Sequence, residues 1–266
     1  MKKIVRFLVL LAAGVCILPV ASVFVNSVSM GGKVLLFPSK ITLGQYMGLF
    51  FESAEYLFRF WYSLALALFI AGLQMVTSFF IASGMVHLKS KWRTAALYIV
   101  VIFMTMPFQV TLLPNYLLSR WLYIYDTVWA MIVPQIFSAL GIFLLHQSLS
   151  GMPKQLADVA LLETNSYGKF SWHVTLPHVK PTAIALGVLL FADAWGMVDI
   201  PLFLLKTERL YPLSLLLNDL SMGDASIAFA AAVLYMAPVM LIYGFLRTSI
   251  IDGFITVPTG GTYEEK

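Results

Sequence analysis

Apolar residues along this 266-residue chain gather into long runs rather than alternating patterns. Six runs read as helices: about 7–26, 60–86, 94–113, 128–145, 182–204 and 227–246. Each is close to or above the ~20 apolar residues that carry a helix across the ~30 Å hydrocarbon core of a bilayer. Pro19, Pro107, Pro134, Pro201 and Pro238 fall within or at the ends of these runs. Membrane helices tolerate such prolines where neighbours satisfy the freed backbone groups, so kinked helices in a packed bundle are expected. The short alternating segments of an outer-membrane barrel are absent. The longest stretch between runs on one side, 27–59, holds the apolar pieces 34–38 and 46–51 and is expected to fold onto the bundle. On the other side, 150–181 is amphipathic and charged. The expectation is an all-α, polytopic membrane protein with six transmembrane helices, forming a single domain over 1–266.

Composition agrees with that reading. Hydrophobic residues make up 60% of the chain and charged residues 11%, against roughly 45–50% and about 25% in soluble domains. Lysine and arginine in short loops favour the cytoplasm. With the N-terminus inside, the cytoplasmic set is Lys2, Lys3, Arg6, Lys89, Lys91, Arg93, Lys154, Lys169, Lys180, Arg247 and Lys266. The outside set is Lys33, Lys40, Arg59, Arg120, Lys206 and Arg209. The imbalance places both termini, and the 150–181 loop, in the cytoplasm. It also accounts for the net charge of +4 without nucleic acid, since no basic stretch is interleaved with exposed aromatics. Met-Lys-Lys before the first run resembles a signal peptide, but the run's length favours an uncleaved first helix. Cys16 is the only cysteine, which excludes an intramolecular disulfide and suggests a buried, inert thiol.

Catalytic signatures are missing. No Gly-x-x-x-x-Gly-Lys-Ser/Thr occurs, so the chain has no P-loop for ATP. His87, His146, His173 and His178 are scattered without metal-ligand spacing and read as satisfied interfacial histidines. There is no nucleophile elbow. The expectation is a non-catalytic membrane subunit, with no cofactor or metal bound by this chain.

The segment Met152–Pro181 carries the most specific pattern: MPKQLADVALLETNSYGKFSWHVTLPHVKP. It resembles the EAA loop of permease subunits in bacterial ABC importers. That pattern runs Pro-x-x-Leu-x-Glu-Ala-Ala-x-x-Asp-Gly-Ala-Ser and closes on Phe-x-x-Ile-x-Leu-Pro-x-x-x-Pro. Pro153 and Leu156 match, Asp158-Val159-Ala160 stands for Glu-Ala-Ala, and Glu163 stands for the Asp. Ser166, Val174, Leu176, Pro177 and Pro181 fall at the family spacing, while Phe170 is one residue early, with Ser171 in its place. Further likeness appears in Thr42–Tyr46, Tyr62-Ser63, Met106–Tyr116, Tyr125-Asp126-Thr127 and Gly141–Leu145. The resemblance covers about 40–250 and points to the carbohydrate-uptake, maltose-permease-like type.

Local physics supports a helix, tight turn, helix in the loop. Ser150 or Gly151 can cap, and Pro153 suits a first turn where its missing N–H costs nothing. Leu156, Val159 and Ala160 make one apolar stripe closed by Glu163. The helix should break at Thr164-Asn165-Ser166, resume over 167–174 and stop at Pro177. Family members have glycine at the position of Thr164. Threonine is ill suited to positive φ, whereas Asn165 tolerates it, so the turn is expected on Asn165. The resemblance implies that this helix docks on an ATP-hydrolysing subunit. Ala157 and Ala160 supply a small face for close approach. Asp158 supplies a carboxylate that favours the helix amino end or pairs with a basic partner residue. The competing reading is a plain amphipathic helix on lipid headgroups, but Lys154 is its only lysine in the first half, fewer than such helices carry.

Charge within a span is costly and marks function by default. Asp193 lies in FADAWGMVDIPL, 191–202, which resembles the family's Trp-Asn-x-Phe-x-x-Pro-Leu patch through Trp195, Pro201 and Leu202. Gly196 replaces Asn and Val198 replaces Phe. The resemblance implies that this span lines the translocation passage. A carboxylate beside an aromatic face suits sugar recognition, because its oxygens accept hydroxyl hydrogen bonds. Alternatively, Asp193 ties its span to a neighbour through Gln74 or Gln135. Gln109 and Asn115 are further lining candidates, and Asp199 reads as interfacial or capping.

The family implies a permease subunit that passes a sugar or oligosaccharide in a bacterial cytoplasmic membrane. Its implied partners are a second permease chain (a heterodimer), two ATPase subunits carrying ATP and Mg, an extracytoplasmic solute-binding protein, and membrane lipid. The alternatives are a permease for polyamine, phosphate or peptide, or a membrane scaffold or transporter without an ATPase. Secondary transporters often show inverted repeats, and none is visible here.

Overall fold

A computed structural model describes residues 2–29, 40–152, 174–221 and 225–255. Among them the chain is helical almost throughout, and its β structure is an isolated bridge between Ser29 and Ile41. The helices are α1 (Lys2–Ser27), α2 (Gly44–Met47), α3 (Ala54–Val86), α4 (Ser90–Thr105), α5 (Phe108–Trp121), α6 (Val128–Ile132) and α7 (Ala139–Ser150). They continue as α8 (Leu176–Trp195), α9 (Asp199–Leu204), α10 (Leu213–Ser221) and α11 (Ala225–Ile255). Four stretches are long and apolar enough to cross a membrane: Val5–Ser27, Ala54–Val86, Val128–Ser150 and Ala225–Ile251. A fifth exists if α4 and α5 count as one span, although they meet at 97°.

Two of the expected spans are therefore broken, and a third, 128–145, is interrupted at 133–138. The run 94–113 ends α4 at Thr105 and restarts α5 at Phe108. Proline disfavours the helical region for the residue before it. Met106 takes φ −68°, ψ 125° and Pro107 φ −60°, ψ 136°, so the chain turns at an extended pair. The run 182–204 divides into α8 and α9 at Gly196–Val198. Pro177 does not end a helix as expected; it sits in the first turn of α8, which also runs through Pro181. Residues 176–181 thus belong to α8 and not to the preceding loop. Ser150 closes α7, and Gly151 is its C-cap, with its N–H donating to the Leu149 and Ser148 carbonyls.

The described residues fall into two compact units. The first comprises Met1–Leu64 and Tyr211–Met240. Within it, Tyr56, Arg59 and Ser63 lie three and four residues apart on one face of α3 and grip the later segment. The Tyr56 hydroxyl donates to the Ala231 carbonyl at 3.0 Å, Arg59 donates to the Tyr211 carbonyl at 3.2 Å, and the Leu213 N–H donates to the Ser63 hydroxyl at 2.7 Å. Glu55 balances the buried Arg59 at 2.7 Å. The 27–59 stretch packs as expected where it is described: Leu49 is buried, and the Tyr46 hydroxyl donates to Ser27 at 2.7 Å. Cys16, by contrast, is exposed, because α1 buries almost none of its apolar side chains.

The second unit comprises Ala65–Leu210 and Leu241–Lys266. Here α7 packs on α4 and α8, and α9 packs on α5 and α6. Met85, Val100 and Ile142 form a core cluster shared by α3, α4 and α7. The Thr182 hydroxyl of α8 lies 3.1 Å from the Ser148 hydroxyl of α7 and 3.4 Å from the Gly253 carbonyl of α11. His146 departs from expectation: it is buried, and neither ring nitrogen finds a hydrogen-bond partner among the described residues.

Candidate functional site

Helix breaks make the site. Between α6 and α7 the chain passes through a 3-10 turn, Val133–Gln135, and then leaves helical geometry at Ser138, with φ −107°, ψ 112°. A break at membrane depth frees backbone polar groups, which neighbours must satisfy. Thr77 of α3 does so by donating to the Ile136 carbonyl at 2.6 Å, and Ser78 reaches the Ser138 carbonyl at 3.5 Å. The Ser138 hydroxyl accepts from the Gly141 N–H at 3.0 Å and caps α7. That approach of α3 requires glycine at 141, since a Cβ there would stand 3.1 Å from the Cβ of Ser78.

A cavity of about 650 Å³ opens beside this break. Its polar lining is Gln74 from α3, Thr111 and Asn115 from α5, Gln135 and Ser138 from the break, and Asp193 from α8. Phe103, Phe108 and Phe137 give it aromatic walls. An adjoining cavity of about 320 Å³ shares Phe108, Gln135, Asp193 and Ile200 and extends to the α8–α9 break and Asp199. The bend at 106–107, the turn at 133–138 and the break at 196–198 thus all border this space. Discontinuous helices of this kind mark binding sites in transporters.

The polar groups differ in how they are held. Gln135 is 9% exposed, donates to the Met131 carbonyl at 2.8 Å and lies 3.6 Å from the Met197 sulfur. Gln74 is 5% exposed, and its Oε1 has no hydrogen-bond partner among the described residues. Asp193 is exposed on the cavity wall. The expected alternative, a tie from Asp193 to Gln74 or Gln135, is not among the bonds these side chains make.

Of the residues the sequence singled out for a passage, Asp193 and Asn115 border the same cavity. Gln109 is exposed on α5 and lines neither cavity. Trp195 is 2% exposed and stacks on Phe191, with ring centroids 6.0 Å apart, inside the unit. Asp199 begins α9, where a negative charge suits the helix amino end. The loop residues Pro153, Leu156, Ala157, Asp158, Val159, Ala160, Glu163 and Asn165 lie outside the described residues. Thr111 and Phe108 gave no strong signal in sequence beyond their nearness to Pro107, and Gln135 was named there only as a possible tie for Asp193.

A second constellation ties the 122–127 loop to the chain after α9. Asp126, at φ 60°, donates its N–H to the Leu204 carbonyl at 3.1 Å. Its Oδ1 accepts from the Lys206 N–H at 2.8 Å and the Thr207 N–H at 2.9 Å, and its Oδ2 accepts from the Thr207 hydroxyl at 2.8 Å. Arg120 stacks over Tyr125 at 5.1 Å beside it. The Thr207 N–H, then the Lys206 N–H and the Thr207 hydroxyl, hold the Asp126 carboxyl below the ordinary carboxylate range. A depressed value stabilises the fold above the ordinary carboxylate pKa, and that support disappears as pH falls through the depressed one. Asp126→Ala is therefore expected to speed amide exchange at Leu205–Thr207 near neutral pH. Wild-type exchange there should approach the variant's only in strong acid. Equal exchange at neutral pH would show that the carboxylate holds nothing.

With this geometry in place, the relatives are informative. Residues 74–253 match the family described as binding-protein-dependent transport system inner membrane component, and the chain belongs to that family. It is 26% identical over 227 residues to the arabinooligosaccharides transport system permease protein AraQ of Halalkalibacterium halodurans, covering 84% of this chain and 81% of that one. Its fold matches a solved bacterial ABC transporter involved in the import of the acidic polysaccharide alginate, with a TM-score of 0.73 at 19% identity, covering 93% and 95% of the two chains. A second structure of a bacterial alginate ABC transporter, in complex with an alginate pentasaccharide-bound periplasmic protein, matches with a TM-score of 0.68 at 15% identity, covering 98% and 97%.

Proposed function

We propose that this chain is a permease subunit of an ABC importer that passes a sugar or oligosaccharide through a bacterial cytoplasmic membrane. The observation that carries the reading is the family match over 74–253, which spans both the EAA-like loop and the Asp193 cavity. The carbohydrate class is supported by the arabinooligosaccharide permease at 26% identity. The chain pairs with a second permease subunit and docks through the loop between α7 and α8 on one of two ATPase subunits, which bind ATP and Mg. It receives solute from an extracytoplasmic binding protein, a reading supported by the alginate ABC transporter solved in complex with an alginate pentasaccharide-bound periplasmic protein. Six spans, with both termini cytoplasmic, complete the arrangement. Pro153, Leu156, Ala157, Asp158, Val159, Ala160, Glu163 and Asn165 form the coupling contact, and Asp193 and Asn115 border the passage.

Purification in mild detergent tests this directly. An ATPase chain should co-isolate, and the reconstituted assembly should take up sugar only with ATP and a binding protein present. A stable, transport-competent particle made of this chain alone would overturn the proposal.

A further inference from the structure

The larger cavity is formed within one unit of this chain, between helix breaks, and its polar groups have unequal needs. Gln74 is buried, with an acceptor oxygen that nothing described satisfies. An unpaired buried acceptor is costly, so a ligand that donates a hydrogen bond is favoured there. Asp193 of α8 lines the same cavity and offers two further oxygens that only accept while it is ionised. Phe108, half-buried between the two cavities, offers a ring face for C–H surface. The volume of about 650 Å³ lies within the ~300–1,000 Å³ of small-molecule pockets.

We propose that this subunit itself holds a solute-binding subsite in that cavity, one that accepts neutral or amino-bearing sugar units and turns acidic ones away. The inference rests on the transporter reading above and adds a charge preference to it. Sugar hydroxyls donate to Gln74 Oε1 and to the Asp193 carboxylate. An ammonium group on the sugar pairs with the same carboxylate. A uronate carries a carboxylate where a neutral sugar carries a hydroxymethyl donor, so it brings a second negative charge toward Asp193, and like charges at close range repel. Among the described residues, no Lys, Arg or His lines either cavity to offset the repulsion.

The test is titration of the purified assembly, free of binding protein, with three probes: neutral arabinotriose, a glucosamine trisaccharide and trigalacturonate. The neutral and amino probes should bind at least about tenfold more tightly than trigalacturonate. Asp193→Asn should bring the three within about threefold, and Gln74→Leu should weaken the neutral and amino probes by roughly tenfold. Size-exclusion profile and melting temperature check that both variants stay assembled. Equal binding of trigalacturonate and arabinotriose by the wild type, no binding of any probe, or full discrimination by Asp193→Asn would each overturn the subsite. Such a result in an assembly that still hydrolyses ATP and imports sugar sinks the subsite alone. Failure to co-isolate an ATPase sinks the transporter reading instead.

Discussion

Asp158→Lys is expected to leave insertion and assembly intact while uncoupling ATP hydrolysis from uptake. Asp158 lies outside the described residues, so the warrant is the sequence pattern alone. There it occupies the Glu position of the EAA-like stretch, near the start of the helix that the sequence leads one to expect from Pro153. A carboxylate in that place complements the positive helix amino end, and it suits a basic residue on the docking subunit. Reversing its sign converts both interactions to repulsion. Hydrogen bonds to charged groups are worth about 1.5–3 kcal/mol, so coupled transport should fall by roughly tenfold or more. The apolar runs are untouched, which is why the chain should still reach the membrane. Asp158→Glu, which restores the residue of the family pattern, should transport as the wild type does. The comparison is made in vesicles that report ATP hydrolysis and uptake together. Coupled transport at wild-type level in the lysine variant would remove Asp158 from the contact.

Hydropathy made α1, α3 and α11 legible because each is apolar without interruption for the thickness of a bilayer. It could not see the breaks, since Met106-Pro107, Phe137-Ser138 and Gly196–Val198 lie inside or beside apolar runs that read as continuous. Pro107 and Pro134 were visible as kinks, but a kink and a 97° turn have the same sequence signature. The difference is decided by what can satisfy the freed carbonyls. At the 133–138 break, Thr77 and Ser78 do this from another helix.

The site shows the same division. Asp193 stood out because a charge in a span is costly wherever it points. Gln74 looked like a possible tie, and only three-dimensional packing shows its oxygen buried without a partner. Trp195 was drawn toward the passage by its nearness to Asp193. Two positions along a helix are about 200° apart, however, so the two side chains face different surroundings. The EAA-like loop was legible as a pattern of residue types, which needs no packing to be recognised.

Gly253→Leu is expected to destabilise the second unit by about 1–3 kcal/mol or more, the range for overpacking a fitted interior. Gly253 lies where α11 crosses α8 so closely that a Cβ would stand 2.8 Å from the Ala185 Cβ and 2.9 Å from the Pro181 carbonyl carbon. It would also collide with the Pro181 carbonyl oxygen. Two of these three atoms are backbone and cannot rotate aside, so the helices must separate. Separation also costs the contact between the Thr182 hydroxyl and the Gly253 carbonyl. Small residues at helix crossings let backbones approach in this way within membranes, where close packing replaces the hydrophobic driving force. Gly244 on the same helix is the control, because a Cβ there meets nothing within 4 Å. Gly244→Ala should lose no stability, since alanine is the better helix former by about 1 kcal/mol. Thermal unfolding of the assembly in detergent should separate the two variants clearly. Equal melting temperatures would mean that α8 and α11 do not meet at Gly253.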